Sequence, residues 1–239
     1  MIDRIAPTRR PDKEESGTQV WKDLLFVHWS VPREAMRAVV PAPLELDEHD
    51  GKCWVGAVPF KMRDIRTSWM PRRAGLDFLE TNLRTYVTYK DRPGVYFFSL
   101  EASSWLAVKV ARTVWKLPYF HATMSEHSEG NVRSYTSVRR EGSRRFHARF
   151  RVGEELGPSK AGTFEHFLLE RYLLFSMKDD EVLEGQVHHV PYPAFQAEVL
   201  ELEEQLVEAA GLPPTEGLPE IAHYSPGVDV SVFGPWPAG

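Results

Sequence analysis

Apolar and polar positions alternate along much of the chain, in runs of roughly ten residues separated by turn residues. "DLLFVHWSV" (23–31) is nearly continuous apolar sequence, rich in aromatic and β-branched residues. "GKCWVGAVPF" (51–60) follows the turn-like "DEHDG". "LETNLRTYVTY" (79–89) and "GVYFFSLEA" (94–102) flank "KDRPG", whose Pro and Gly suit a hairpin connection. "YFHATMSEH", "VRSYTSVRR" and "RRFHARFRV" give three further strands, separated by "SEGN" and "EGS". Residues 181–190, 194–202 and 227–233 supply the last strands. Short strands at this spacing predict a mainly β fold with an antiparallel sheet closed as a barrel or sandwich.

Four segments have helical spacing. Residues 31–41 offer Ser30 as a cap and Pro41 as a stop. Residues 103–118 place Trp105, Val108 and Trp115 near one face before Pro118. In residues 163–175, Thr163 is the expected N-cap. Residues 202–211 end at Gly211, a natural position just past a helix end. The polar, Pro-containing residues 1–18 read as an N-terminal arm, and 19–239 as a single domain without repeats.

Residues 79–89 carry the most chemistry. As a strand they put Glu80, Asn82, Arg84, Tyr86 and Thr88 on one face. At about 3.3 Å per residue, Glu80 and Arg84 stand roughly 13 Å apart, too far to pair. Burying such a row costs free energy unless each group finds a partner. The face is therefore either solvent surface or the wall of a polar cavity that holds a ligand.

Composition narrows the functional classes. Net charge is −5, from 29 basic and 34 acidic residues, which argues against a dedicated nucleic-acid binder. The one basic stretch, "RRFHARFR" (144–151), reads as a solvated strand face bearing Arg145, His147, Arg149 and Arg151. Cys53 is the single cysteine, so no internal disulfide forms and a reducing cytoplasm suits the chain. No apolar run is long enough for a membrane helix, and the first residues lack the apolar core of a signal peptide. Nine His residues occur without metal-ligand spacing; His28, His121 and His188 lie far apart, and no metal or cofactor is expected. In "LLERYLLF", Glu170, Arg171 and Tyr172 stand out in apolar surroundings, and the simplest role for either charge is a structural salt bridge.

Taken in order, "WKDLLFVHWSVP", "LELDEHDGKCWVGAVPF", "LETNLRTYV", "RPGVYFFSLEA", "LAVKVARTVWKLPYFHA", "LLERYLLF", "HHVPYP" and "HYSPGVDVSVF" resemble the YqjF-like family of uncharacterised bacterial proteins, within the acetoacetate-decarboxylase-like superfamily. The resemblance runs from about residue 20 to 233. It implies a cone-shaped, partly open antiparallel β-barrel around a cavity, with a few short helices. The superfamily's decarboxylase forms a Schiff base on one lysine of a pair, following an Arg-x-x-x-x-x-Pro-Lys-Lys motif; the neighbouring cation lowers the nucleophile's pKa, an enzyme that serves as the standard example of this effect. Here that frame reads Arg112, Pro118, Tyr119, Phe120. Both lysines are replaced, and a phenol cannot form an iminium. Lys116, two residues before the proline, is expected to face elsewhere. Glu80 resembles the superfamily glutamate at the start of a cavity strand.

Three functions remain open at this point. One is a cavity binding a small organic anion such as a carboxylate, with Arg84 or Arg112 as anchor and Asn82 and His121 orienting it. The second is a lyase- or hydratase-like enzyme with Glu80 and Tyr119 as acid and base. The third is a structural or partner-binding module whose interior is filled by its own side chains. No nucleic-acid or membrane partner is expected, and a homo-oligomer is compatible with any of the three.

Overall fold

The computed structural model describes residues 2–68, 70 and 75–239. The fold is mainly β. In chain order the elements are β1 (Gly17–Val31), α1 (Arg33–Val39), β2 (Glu45–Leu46), β3 (Cys53–Thr67), β4 (Leu76–Tyr89), β5 (Arg92–Ala102), α2 (Trp105–Val114), β6 (Tyr119–Glu129), β7 (Val132–Arg139) and β8 (Arg145–Gly157). They continue as α3 (Phe164–Leu169), β9 (Leu173–Lys178), β10 (Glu181–His188), β11 (Ala194–Glu204), α4 (Leu206–Ala209) and β12 (Ile221–Pro237).

Among the described residues, twelve strands form one sheet in the order β10-β9-β5-β6-β7-β8-β11-β12-β1-β3-β4-β2, with β10–β12 and β5–β4 pairing in addition. Those extra pairings make the sheet ring-like and forked. One edge of β5 pairs with β4 along its whole length. The other edge splits, meeting β9 at Val95–Tyr96 and β6 at Leu100–Ala102. β12 forks in the same way, to β11 at His223 and Tyr224 and to β10 from Ser231 onward. Strands β1, β3, β4, β5, β9, β10 and β12 thereby close a ring around the cavity described below.

The forked ring explains the unbroken apolar runs. β1 and β3 lie between two cores, so alternate residues are buried on opposite faces. Leu24 and Phe26 of β1 join one cluster with Val58 and Phe60 of β3. Leu25 and Val27 join the other with Val55 and Ala57. Gly94 sits at the β5 fork, where a Cβ would come within 2.7 Å of the Leu173 carbonyl oxygen; only glycine lets β9 approach this closely.

Several helices are shorter than their patterns suggest. α1 begins after Pro32; Ser30 is the penultimate residue of β1 and its hydroxyl donates to Glu220 rather than capping a helix. In α3, the Thr163 hydroxyl does accept from the His166 amide, as expected, but the helix stops at Leu169. Residues 173–175, expected to be helical, are the start of β9, because pairing with β5 and β10 satisfies more backbone than one further helical turn. Residues 202–204 likewise extend β11, paired with β8, and leave only 206–209 for α4. β12 is far longer than 227–233, since Pro226 and Gly227 kink the strand without ending it; Gly227 takes φ 124°. α2 is capped by the Ser104 hydroxyl, which accepts from the Ala107 amide.

The N-terminal segment packs on the ring. Gln186 of β10 donates to the carbonyls of Pro7 and Arg9. Arg4 reaches Asp47 with both guanidinium nitrogens.

Candidate functional site: a cavity with one polar end

The ring encloses a cavity of about 480 Å³, within the range of small-molecule sites. β4 supplies its most informative wall. Period-two alternation aims Leu76, Phe78, Glu80, Asn82 and Arg84 into the cavity in that order. The face expected to be either surface or cavity wall is cavity wall. Elsewhere the lining is chiefly apolar, including Phe26, Phe60 and Phe97. α2 lies along the mouth, where Leu106 and Val110 contact the cavity yet stay half exposed.

Glu80 is 2% exposed. Its Oε2 accepts a 2.8 Å hydrogen bond from the Tyr119 hydroxyl. Burial pushes the Glu80 carboxyl up to about 8; hydrogen bonds from Tyr119 and Asn82 pull the other way, and the nearby Glu101 adds a small upward push. Tyr119 is pushed well above the ordinary phenol value by burial and by Glu80. At neutral pH the pair is therefore mostly a neutral acid hydrogen-bonded to a neutral phenol.

Arg84 lies deeper. Its Nη2 donates to the Leu168 carbonyl at 3.1 Å, and its guanidinium stands 5.5 Å from the centre of the Phe26 ring. Its Nε, like the Oδ1 of Asn82, is buried with no hydrogen-bond partner. Such groups are costly to leave unpaired and mark where a ligand can bind. Tyr86 continues the row behind the cavity: its hydroxyl donates to the Leu168 carbonyl at 2.8 Å and stands 2.7 Å from His28 Nε2. His28 is held below its ordinary value by burial and by the Arg84 charge, so it is neutral.

The segment after α3 completes the deep end. Arg171 and Tyr172 line the cavity, as does Tyr192. Glu170 accepts from the Tyr172 hydroxyl at 2.6 Å and the Tyr192 amide at 3.0 Å, while burial pushes its carboxyl up. Arg171 pairs with Asp47 at 2.7 Å, a carboxylate it shares with Arg4, and its Nη2 is buried without a partner. Asp47 holds Arg4 and Arg171 together; burial opposes its ionisation, but the two guanidiniums outweigh burial and keep its carboxyl below the ordinary value.

Two residues expected to orient or anchor a ligand lie outside the cavity wall. Arg112 is exposed on α2; its Nε donates to the Tyr119 carbonyl and its guanidinium stands 5.4 Å from the Phe120 ring centre. It therefore braces the backbone of Tyr119. His121 shares the alternation of Tyr119 but pairs with Ala102, where the β5–β6 contact ends and β6 leaves the ring. Lys116 is exposed, and no lysine lines the cavity among the described residues. Tyr192 had no spacing signal in the sequence, since it sits in a loop between β10 and β11. Arg171 and Tyr172 did carry one, as polar groups inside an apolar run.

The other candidates resolve simply. Arg145, Arg149 and Arg151 of β8 pair with Glu203, Glu201 and Glu198 of β11 across an exposed face. Cys53 is buried and its thiol is pushed up to about 11, chiefly by burial. Among the described residues, no three of His, Cys, Asp or Glu converge in a metal-binding group, and no helix is long and apolar enough to cross a membrane.

Comparison with known proteins matches this architecture. The DUF2071 family, described as "Uncharacterized conserved protein", matches residues 18–229. The uncharacterized protein YqjF of Bacillus subtilis (strain 168) is 37% identical over 214 residues, covering 89% of this chain and 88% of the relative. Among solved structures, the enduracididine biosynthesis enzyme MppR complexed with pyruvate superposes with a TM-score of 0.65 at 10% identity, over 95% of this chain and 91% of that one. Acetoacetate decarboxylase from Legionella pneumophila gives 0.62 at 14% identity, over 95% and 90%. The chain thus belongs to the DUF2071 family, is related to YqjF, and has the acetoacetate-decarboxylase-like fold.

Proposed function

We propose that this protein binds a small organic anion, a carboxylate, in its decarboxylase-like cavity, and does so without Schiff-base chemistry. The observation that carries this reading is Arg84: a buried guanidinium on the cavity wall, without an ion-pair partner among the described residues, with Nε unsatisfied. A carboxylate accepts from such a group with two parallel bonds. The neighbouring Glu80 is mostly protonated and does not repel an anion. The MppR structure in complex with pyruvate supports the reading, because a protein of the same fold there holds a carboxylate. Bacterial origin and a reducing cytoplasm suit the chain, given its YqjF relative and lone cysteine. No nucleic-acid, membrane or cofactor partner enters the proposal; assembly with further copies is compatible with it.

The 2.8 Å Tyr119–Glu80 bond favours a second reading, a lyase- or hydratase-like activity. A carboxyl titrating near neutrality suits general acid catalysis, with Glu80 the proton donor and Tyr119 positioning it.

Thermal shift with pyruvate, acetoacetate and butyrate tests the binding reading. A ligand at 100 times its Kd adds about 2.7 kcal/mol to stability. Stabilisation of the native chain that disappears in Arg84→Met is expected. No shift with any of the three acids overturns it. Borohydride with acetoacetate is expected to leave the intact mass unchanged; an adduct on Lys116 would restore Schiff-base chemistry.

A further inference from the structure

We infer that the ligand is an amphipathic acid, held with its carboxylate at Arg84 and an unbranched apolar tail running toward α2. This rests on the carboxylate reading and adds the chemistry of the rest of the molecule. Polarity is graded along β4: Leu76 and Phe78 come first, then Glu80, Asn82 and Arg84. Leu76 is half-buried and the other four are buried. Leu76 pairs with Ile65 near the mouth, whereas Arg84 pairs with Gly56 far inside the ring. Phe78 to Arg84 spans six residues, about 20 Å of wall.

A two- or three-carbon acid bound at Arg84 would leave most of the apolar wall in contact with water. A tail covers it. Phe60 and Phe97 border the path, and Val110 of α2 stands at its outer end. Polar groups near the mouth are partly satisfied, with Arg66 Nε and Thr67 Oγ1 left buried without a partner. Arg66 pairs with Asp64 at 2.9 Å, and Gln19 accepts from the Trp21 indole at 2.8 Å. The charge of Arg66 at the mouth is matched by Asp64, whereas Arg84 at the deep end has no ion-pair partner among the described residues. α2 also carries four of the exposed large apolar side chains, Trp105, Leu106, Val110 and Val114, and no acidic residue. This apolar rim continues the cavity lining outward.

The test is isothermal titration of the full chain with acetate, butyrate, hexanoate and octanoate, and with 1-octanol, using wild type, Arg84→Met and Ala107→Trp. Ala107 lines the cavity on α2 and is only partly buried at the edge of the core, so the larger side chain narrows the tail path. Affinity is expected to rise up to about fourfold per added methylene. 1-Octanol is expected to bind at least tenfold more weakly than octanoate. Ala107→Trp should cost octanoate at least tenfold more than butyrate. Equal affinity for butyrate and octanoate overturns the tail and leaves the carboxylate reading standing. Octanol binding as well as octanoate, in wild type and in Arg84→Met alike, overturns the carboxylate reading. Binding of none of these compounds overturns both.

Discussion

Glutamine in place of Glu80 retains the size of the side chain and removes its proton equilibrium. In the native state the carboxyl titrates near 8, against an ordinary value of 4.5. Below 4.5 both native and unfolded chains hold the proton, and Glu80 adds no pH dependence. Between 4.5 and 8 the unfolded chain has released the proton and the native chain has not. Each pH unit in that window then costs the native state about 1.4 kcal/mol. The gap, 8 − 4.5 = 3.5 units, sums to at most about 5 kcal/mol, fully expressed above pH 8. Glu80→Gln lacks this loss. Urea unfolding of both proteins at several values between pH 5 and 9 measures it. The stability of the variant relative to wild type should rise by several kcal/mol across the range. Tyr119→Phe serves as an internal check. The lost donor stabilised the ionised carboxyl, so the Glu80 value moves further up and the slope extends to higher pH. Parallel profiles for wild type and Glu80→Gln would refute the claim that Glu80 is buried as a neutral acid.

Three further substitutions probe the frame around the cavity. Asp47→Asn strands the charge of Arg171 in the interior and should cost about 3–5 kcal/mol in urea unfolding, whereas Arg4→Ala, which removes a partly exposed partner of the same carboxylate, should cost no more than about 1 kcal/mol; equal costs would refute the distinction. Gly56→Ala would place a Cβ 2.7 Å from His28 Cδ2, pushing aside the ring that meets Tyr86, and a loss of about 1–3 kcal/mol in thermal or urea unfolding is expected.

The strand pattern was readable because a half-polar strand in a closed ring must alternate. Glu80, Asn82 and Arg84 share a face for that reason, and pattern alone placed them together. What pattern could not provide was which side of the strand held a ligand, since a polar stripe reads the same on a surface and in a cavity. The pattern of 163–175 does not show where its helix ends, because Leu and Phe crowd it without a clear period; the pairing that ends the helix lies on β5, some 80 residues earlier. Arg112 and Arg84 are indistinguishable as lone arginines in sequence, and only the direction of α2 sends Arg112 out to brace Tyr119. His121 lies off the cavity wall for a topological reason. Alternation kept it on the Tyr119 face, but β6 turns away from the cavity within two residues. The lost lysine pair was legible directly, because it depends on residue identity at a short, fixed spacing.

The pairing of Gly17 with Val232 ties almost the first strand to the last. A ribosome releases a chain from its N-terminus, so β1 waits until β12 has been made before its second neighbour exists. Until then the Trp21 and Phe26 face of β1 has no enclosed volume to line, and one of its backbone edges is open to pairing with other chains. Ligand binding thus cannot assist early steps of folding in this architecture; it can only stabilise a finished ring. A nascent chain stalled before β12 would be the most aggregation-prone form of the protein, and the slow, long-range closure of β12 onto β1 the step most in need of protection.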